Sequence, residues 1–81
     1  MNDNLRVFDF ENRQGRIVIV DGEPWFIAKD VAAGIGASWN GETSIKHVPE
    51  EWRGVLSVYT PSSNQEMWAL TEQGLYFYLA R

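Results

Sequence analysis

Six side chains between positions 40 and 53 have the chemistry needed to contact a nucleic acid, namely those of Asn40, Thr43, Ser44, Lys46, His47 and Arg53. Amide, hydroxyl and cationic groups donate hydrogen bonds to phosphate oxygens, and several of them also read base edges. The apolar spacing predicts two short helices, at about 28–35 and 41–47, joined by a turn of small residues. Such a pair has the layout of a helix-turn-helix, with the polar residues on its second helix.

The same residues also fit a structural interpretation. Ile45 and Val48 would then pack inward, and the polar residues would form the solvated face of a helix that covers a sheet. Asn40 or Thr43 is expected to cap that helix, because both side chains can accept a hydrogen bond from a free backbone N–H. The sequence alone leaves both interpretations open.

The sequence shows no arrangement of residues that predicts an enzyme. His47 is the only histidine, and no spacing groups carboxylates around it, so we expect neither a metal site nor a cofactor. Lys29 and Asp30 are adjacent, and adjacent positions of a helix point apart. The sequence Gly34-Ile35-Gly36 matches neither a phosphate-binding loop nor a dinucleotide fingerprint.

Composition limits the classes of protein to which this chain can belong. The 81 residues carry a formal net charge of −4, with 44% hydrophobic residues and no cysteine. An acidic balance argues against strong electrostatic capture of nucleic acid, because phosphate neutralisation supplies most non-specific affinity. No segment approaches the roughly 18 apolar residues of a membrane span. We therefore expect a cytoplasmic protein that makes no contact with membranes.

The hydrophobic pattern predicts an α+β domain in which short helices pack on an antiparallel sheet. Segments rich in β-branched and aromatic residues at 5–10, 16–20 and 25–27 predict a three-stranded meander, with Asp21-Gly22 in a tight turn. Segment 16–20 is expected to be central, because its apolar residues lie on both faces. Segments 55–60 and 66–70 predict a second hairpin around a turn at 61–64. Ala28, Val31, Ala32 and Ile35 share one helical face, Asp30 suits the positive start of that helix, and Gly36 can end it.

A final helix is expected to begin after Thr71, with Leu75, Tyr78 and Leu79 on its buried face. Tyr76, Phe77 and Tyr78 cannot all lie on one side of a helix, so at least one ring should face a partner or solvent. Tyr76, Phe77 and Arg81 are therefore candidate interface residues. No stop signal follows Leu79. We expect a single domain over 1–81, with a disordered tail at 1–4 and a last helix that continues beyond Arg81.

Four segments, in this order and spacing, resemble the N-terminal domain of the BRO family, which occurs in phage and prophage antirepressors and in proteins of large DNA viruses. They are residues 21–31 (DGEPWFIAKDV), 45–48 (IKHV), 65–67 (QEM) and 70–76 (LTEQGLY). The similarity extends from about Phe8 to the end of the chain.

The resemblance implies an α+β domain that binds DNA and takes part in transcription control of lytic genes in a bacterial host. For this chain we expect weak DNA binding centred on residues 40–53. The alternative is a protein-interaction module that binds a repressor, or forms a homodimer through the last helix, without touching DNA. An acidic chain of this kind suits a basic repressor by charge complementarity.

Overall fold

Five antiparallel strands form one sheet in the order β1-β2-β3-β5-β4 in the computed structural model, which describes residues 4–10, 13–59 and 64–80. The strands are β1 Asn4–Phe10, β2 Arg13–Val20, β3 Glu23–Ile27, β4 Arg53–Tyr59 and β5 Asn64–Leu70. The helices are α1 Ala28–Gly34, α2 Glu42–Ile45 and α3 Glu72–Leu79, with a 3₁₀ turn at Glu50–Trp52. The predicted α+β class, with its meander, second hairpin and short helices, is confirmed.

The meander and the hairpin join into one sheet through a very short contact. β3 pairs with β5 only at Phe26 opposite Leu70 and at Ile27 opposite Ala69. β3 is therefore the middle strand of the sheet. β2, which was predicted to be central, lies between β3 and the edge strand β1. Pro24 pairs with Ile19 of β2 but lies outside the two residue pairs that join β3 to β5, so its missing N–H costs no ladder bond on the β5 side.

Two tight backbone turns match the sequence prediction. Asp21 and Gly22 both have positive φ, 51° and 83°, as a two-residue hairpin turn requires. At the end of α1 the N–H of Gly36 (φ 76°) donates to the Ala33 carbonyl, and the N–H of Ala37 donates to Ala32. This is a Schellman ending, which satisfies carbonyls that the helix leaves open.

The sheet has a separate apolar cluster on each face, because successive side chains of a strand point to opposite sides. All three helices contribute to the cluster that includes Leu70, with Phe26 and Trp68 beside it. The opposite cluster contains Ile27 and Ala69, with no residue from a helix. The two residue pairs that join β3 to β5 therefore lie on opposite faces of the sheet. Phe26 and Leu70 face the helices, and Ile27 and Ala69 face the other side.

An ion pair between β2 and α1 gives Asp30 a more specific role than the predicted helix-start electrostatics. The Arg16 Nε and Nη2 atoms donate to the two carboxylate oxygens at 2.7 and 2.9 Å, and the Arg16 backbone N–H donates at 3.0 Å. The hydrogen bond to Asp30 raises the pKa of Arg16. Both side chains are largely shielded, with 25% and 12% exposure, so α1 is fixed to β2.

The start of α3 lies directly against the 3₁₀ turn. Thr71 begins α3 as predicted, its Oγ1 accepting from the Gly74 N–H at 3.1 Å, while its own N–H donates to the Trp52 carbonyl at 3.0 Å. A Cβ on Gly74 would overlap the Trp52 carbonyl oxygen and lie 3.1 Å from the Trp52 Cβ. Only glycine allows this approach.

Several predicted boundaries are wrong. Asn4, expected in a disordered tail, begins β1, and β4 begins at Arg53, two residues before the predicted segment 55–60. Ile35 is 36% exposed rather than buried, because α1 ends at Gly34 and Ile35 leaves the helical face. Most of the turn predicted at 61–64 lies outside the described residues, and Asn64 itself begins β5.

Two glycine substitutions test the close contact between α3 and the 3₁₀ turn, one at the contact and one at a control position in β4. Gly74→Ala should lower the free energy of unfolding by about 1–3 kcal/mol, because the added methyl overlaps the Trp52 carbonyl. Gly54→Ala should be neutral or raise it by about 0.4–1 kcal/mol, because a Cβ there meets the Trp25 ring at an ordinary 3.5 Å. Urea unfolding followed by circular dichroism measures both, and equal effects would contradict the close approach.

Asp30→Asn tests the ion pair. The substitution should lower the free energy of unfolding by about 1–3 kcal/mol, because the Arg16 guanidinium loses its charged partner in a shielded site. The control is Asp21→Asn, at an exposed turn position with positive φ that Asn also adopts, for which we expect a change below about 0.5 kcal/mol. A loss of stability at position 21 alone would refute the assignment.

Candidate functional site

The segment from Asn40 to Val48 is built around a single helical turn. α2 has four residues, not the seven predicted, so the helix-turn-helix arrangement does not form. Its N-cap is Gly41, with φ 65° and ψ −143°, rather than Asn40 or Thr43. The Asn40 N–H donates to the Ser44 Oγ at 2.8 Å, so the residue before the N-cap is hydrogen-bonded to a side chain of α2.

The two faces of this segment differ in chemistry, as the sequence pattern predicts. Ile45 and Val48 are 0% and 1% exposed and belong to the helix-side cluster. Asn40, Thr43, Lys46 and His47 are exposed, and Ser44 is half-buried. One face of the segment is therefore polar and exposed, and we call it the polar face. The other face is apolar and buried against the core.

Arg53, a predicted DNA contact, links β4 to this segment in the structure. Its Nε donates to the Val48 carbonyl at 2.8 Å, its Nη1 lies 3.3 Å from the Glu42 Oε2, and its guanidinium lies 5.9 Å from the Trp68 ring centroid. Only 13% of the side chain is exposed. Arg53 is thus bonded to Val48 and Glu42, and the predicted contact with DNA would compete with these bonds.

His47 packs against α3, which joins two regions that the sequence treated separately. Its ring centroid lies 5.9 Å from that of Phe77 and 6.0 Å from that of Tyr78. Trp52 meets Phe77 edge-on at 5.9 Å. The candidate nucleic-acid residues and the candidate interface residues are therefore neighbours on one surface.

The outer side of α3 carries exposed apolar side chains. Tyr76, Phe77 and Leu79 are 60%, 42% and 45% exposed, while Tyr78 is buried, so the expectation that the three successive rings divide between faces is confirmed. Leu79 was predicted to be buried and is not. The Tyr76 hydroxyl donates to the Glu72 Oε2 at 3.0 Å, and this bond raises the pKa of Tyr76. Arg81 lies outside the described residues.

Charge on the described surface is mainly negative. Arg16 and Arg53 are held in ion pairs, which leaves Lys29 and Lys46 as the cations without one among the side chains that the structure describes. Exposed carboxylates are more numerous: Asp21, Glu23, Glu42, Glu50, Glu51, Glu66 and Glu72. Within the described ranges no group of three or more acidic or histidine side chains is placed to hold a metal ion. In the same ranges no helix has the length and apolar character of a membrane span.

Removing the Arg53 side chain tests its structural role. Arg53→Ala should lower the free energy of unfolding by about 1–3 kcal/mol, because the Val48 carbonyl loses a charged donor in a shielded site. Glu42→Gln should change it by less than about 1 kcal/mol, because that ion pair is solvent-exposed. Thermal and urea unfolding measure both, and an Arg53→Ala variant as stable as the parent would return Arg53 to the candidate binding residues.

Comparison with known protein families gives one match. A family model described as the BRO family, N-terminal domain, matches residues 14–81, from β2 through the polar segment and α3. No curated protein and no solved structure gives a significant match. The family match covers most of the chain and includes each of the four segments that carry the sequence resemblance. This chain therefore belongs to the BRO family and comprises its N-terminal domain.

Proposed function

We propose that this chain is a DNA-contacting regulatory domain of a phage or prophage antirepressor-like protein, which acts in transcription control of lytic genes in the host cytoplasm. The family is associated with antirepressor-like regulators, and the proposal assigns the chain a regulatory rather than an enzymatic role. The observation that carries the proposal is the exposed polar face of residues 40–47 on a buried base.

The geometry of that face suits contact with a phosphate backbone. Asn40, Thr43 and Lys46 recur at three-residue spacing on the side opposite Ile45 and Val48. Amide, hydroxyl and ammonium groups are typical phosphate ligands. Because Arg53 holds the underlying backbone at Val48, that backbone needs little ordering when a ligand binds.

The same geometry predicts weak binding without strong sequence preference. A single helical turn offers far fewer base contacts than a recognition helix lying in the major groove. Lys46 is the one free cation of the described polar face, and exposed Glu42 lies within the same turn. Few phosphates are neutralised by such a surface, so both affinity and salt dependence should be modest.

A second candidate function is protein interaction through α3 without DNA contact, with a repressor or a second copy as the partner. Exposure of Tyr76, Phe77 and Leu79 on one helix specifically favours it. Aromatic residues are enriched in the cores of protein interfaces.

Two lysine substitutions test the DNA proposal. Lys46→Ala should weaken binding of a labelled duplex by a similar factor for every sequence tried, and should lower the slope of log K against log salt by about one. Lys29→Ala is the matched control, because Lys29 is equally exposed on α1 but lies outside the polar face. Fluorescence anisotropy at low and moderate salt measures both variants.

Two results would overturn the DNA proposal. If the duplex does not bind at low salt, or if Lys29→Ala and Lys46→Ala weaken binding equally, the polar face is not the contact surface. Thermal unfolding of each variant confirms that the comparison concerns binding, since both lysines lie outside the apolar clusters.

A further inference from the structure

The outward side of α3 is an apolar surface that the domain's own packing leaves uncovered. Successive helical residues are about 100° apart, so Leu79, Glu72, Tyr76 and Phe77 fall on one continuous arc of about 160°. The three apolar members are each more than 40% exposed. We call this arc, with Trp52 against which Phe77 packs, the α3 surface.

The inner side of α3 packs into the described core. Gly74 lies against the Trp52 backbone, and Tyr78 is 2% exposed within the helix-side cluster. The α3 surface is thus additional to what the described core needs. Exposed aromatic residues grouped on one helix are typical of an interaction site.

The charges around the α3 surface are mostly negative. Glu72 lies on the arc itself, and Glu50 and Glu51 are exposed in the 3₁₀ turn that ends at Trp52. The described cations nearest in sequence are Arg53, which is largely shielded and paired with Glu42, and Lys46, next to His47. A phosphate backbone is repelled by such a rim, whereas lysine and arginine are attracted by its carboxylates and also stack on aromatic faces.

We propose that the α3 surface binds a protein segment that combines apolar and basic side chains, such as a basic amphipathic helix. The apolar side of the segment covers Tyr76, Phe77 and Leu79, and its cations face Glu72 and the 3₁₀ turn. This inference concerns a surface and a partner class distinct from the proposed DNA contact, and it stands without that contact.

A second copy of the chain is a poorer occupant for electrostatic reasons. A two-fold interface brings the same patch of both copies together, so two surfaces with the same acidic rim would face each other. Like charges facing each other at an interface disfavour association. The net charge of −4 on each copy adds to this repulsion.

A partner bound to the α3 surface would also affect DNA binding at the polar face. This consequence rests on the proposed function. A protein interface of ordinary size buries about 800 Å² on each partner, equivalent to a disc about 16 Å in radius. His47 is 5.9 Å from Phe77, ring to ring, so such a partner covers His47 and reaches Lys46. A bound partner and DNA would therefore compete for the chain.

A matched pair of peptides tests the proposal on the intact chain. The probe is a labelled amphipathic helical peptide of leucine and lysine, about four turns long, and its control carries glutamate at every lysine position. We expect the lysine peptide to bind and the glutamate peptide not to. Phe77→Ser should weaken binding about tenfold, and Glu72→Gln should weaken it about twofold to fivefold.

Control variants separate loss of the surface from loss of the fold. Val55→Ser removes a 48% exposed apolar side chain on β4 and should leave peptide binding unchanged. Leu79→Ser repeats the α3 test at an exposed residue for the case in which Phe77→Ser unfolds the chain. Lys46→Ala should not weaken peptide binding, so failure of the DNA proposal is distinguishable from failure of this one.

Three results would overturn the proposal. Equal binding of the two peptides indicates that charge plays no part, and binding unaffected by both Phe77→Ser and Leu79→Ser indicates another site. Sedimentation that shows a concentration-dependent dimer, abolished by Leu79→Ser, assigns the surface to a second copy instead. The expected result is a monomer in which the lysine peptide alone binds and the α3 variants weaken it.

Discussion

The contact between Gly74 and the Trp52 carbonyl is the constraint on which the surface of this domain depends. Because residue 74 has no side chain, the first turn of α3 lies directly against the 3₁₀ turn, and the Thr71 N–H donates to the same carbonyl. Glycine is unfavourable within a helix, by about 1 kcal/mol relative to alanine. Glycine is nevertheless required at this position, because a larger residue would overlap the Trp52 carbonyl and displace the rest of α3.

The segment between α1 and β4 is held from two directions. Arg53 binds the Val48 carbonyl and Glu42 from the strand side, and Trp52 contacts α3 on the other side. With Ile45 and Val48 buried beneath, a segment that has only one turn of helix still has a fixed shape. Rigidity of this kind suits a binding surface, because little entropy is lost when a ligand is bound.

The two surfaces of the domain differ in the ligands that their chemistry favours, although they meet at His47. The polar face has one free lysine and neutral hydrogen-bonding groups, which suit a weak phosphate contact. The α3 surface has exposed rings and carboxylates, which suit a basic and apolar protein segment. A small acidic domain can thus be regulated by competition between neighbouring surfaces, without a change of fold.

The sequence by itself determined the features that depend on neighbouring residues. Short runs of β-branched and aromatic residues indicated the strands, Asp21-Gly22 and Gly36 indicated the turns, and Thr71 indicated the start of α3. The inward packing of Ile45 and Val48 also followed from spacing alone. Each of these is local, because period, turn chemistry and capping involve residues within a few positions of one another.

Only the tertiary structure decided which distant residues meet. Arg16 and Asp30 are 14 positions apart, and nothing in their local sequence indicates that they pair. Arg53 was assigned to DNA because a cation looks free until its partners are placed, and His47 could not be linked to Phe77 across 30 positions. The exposure of Leu79 likewise depends on where α3 ends against its neighbours, since burial is a property of the assembled fold.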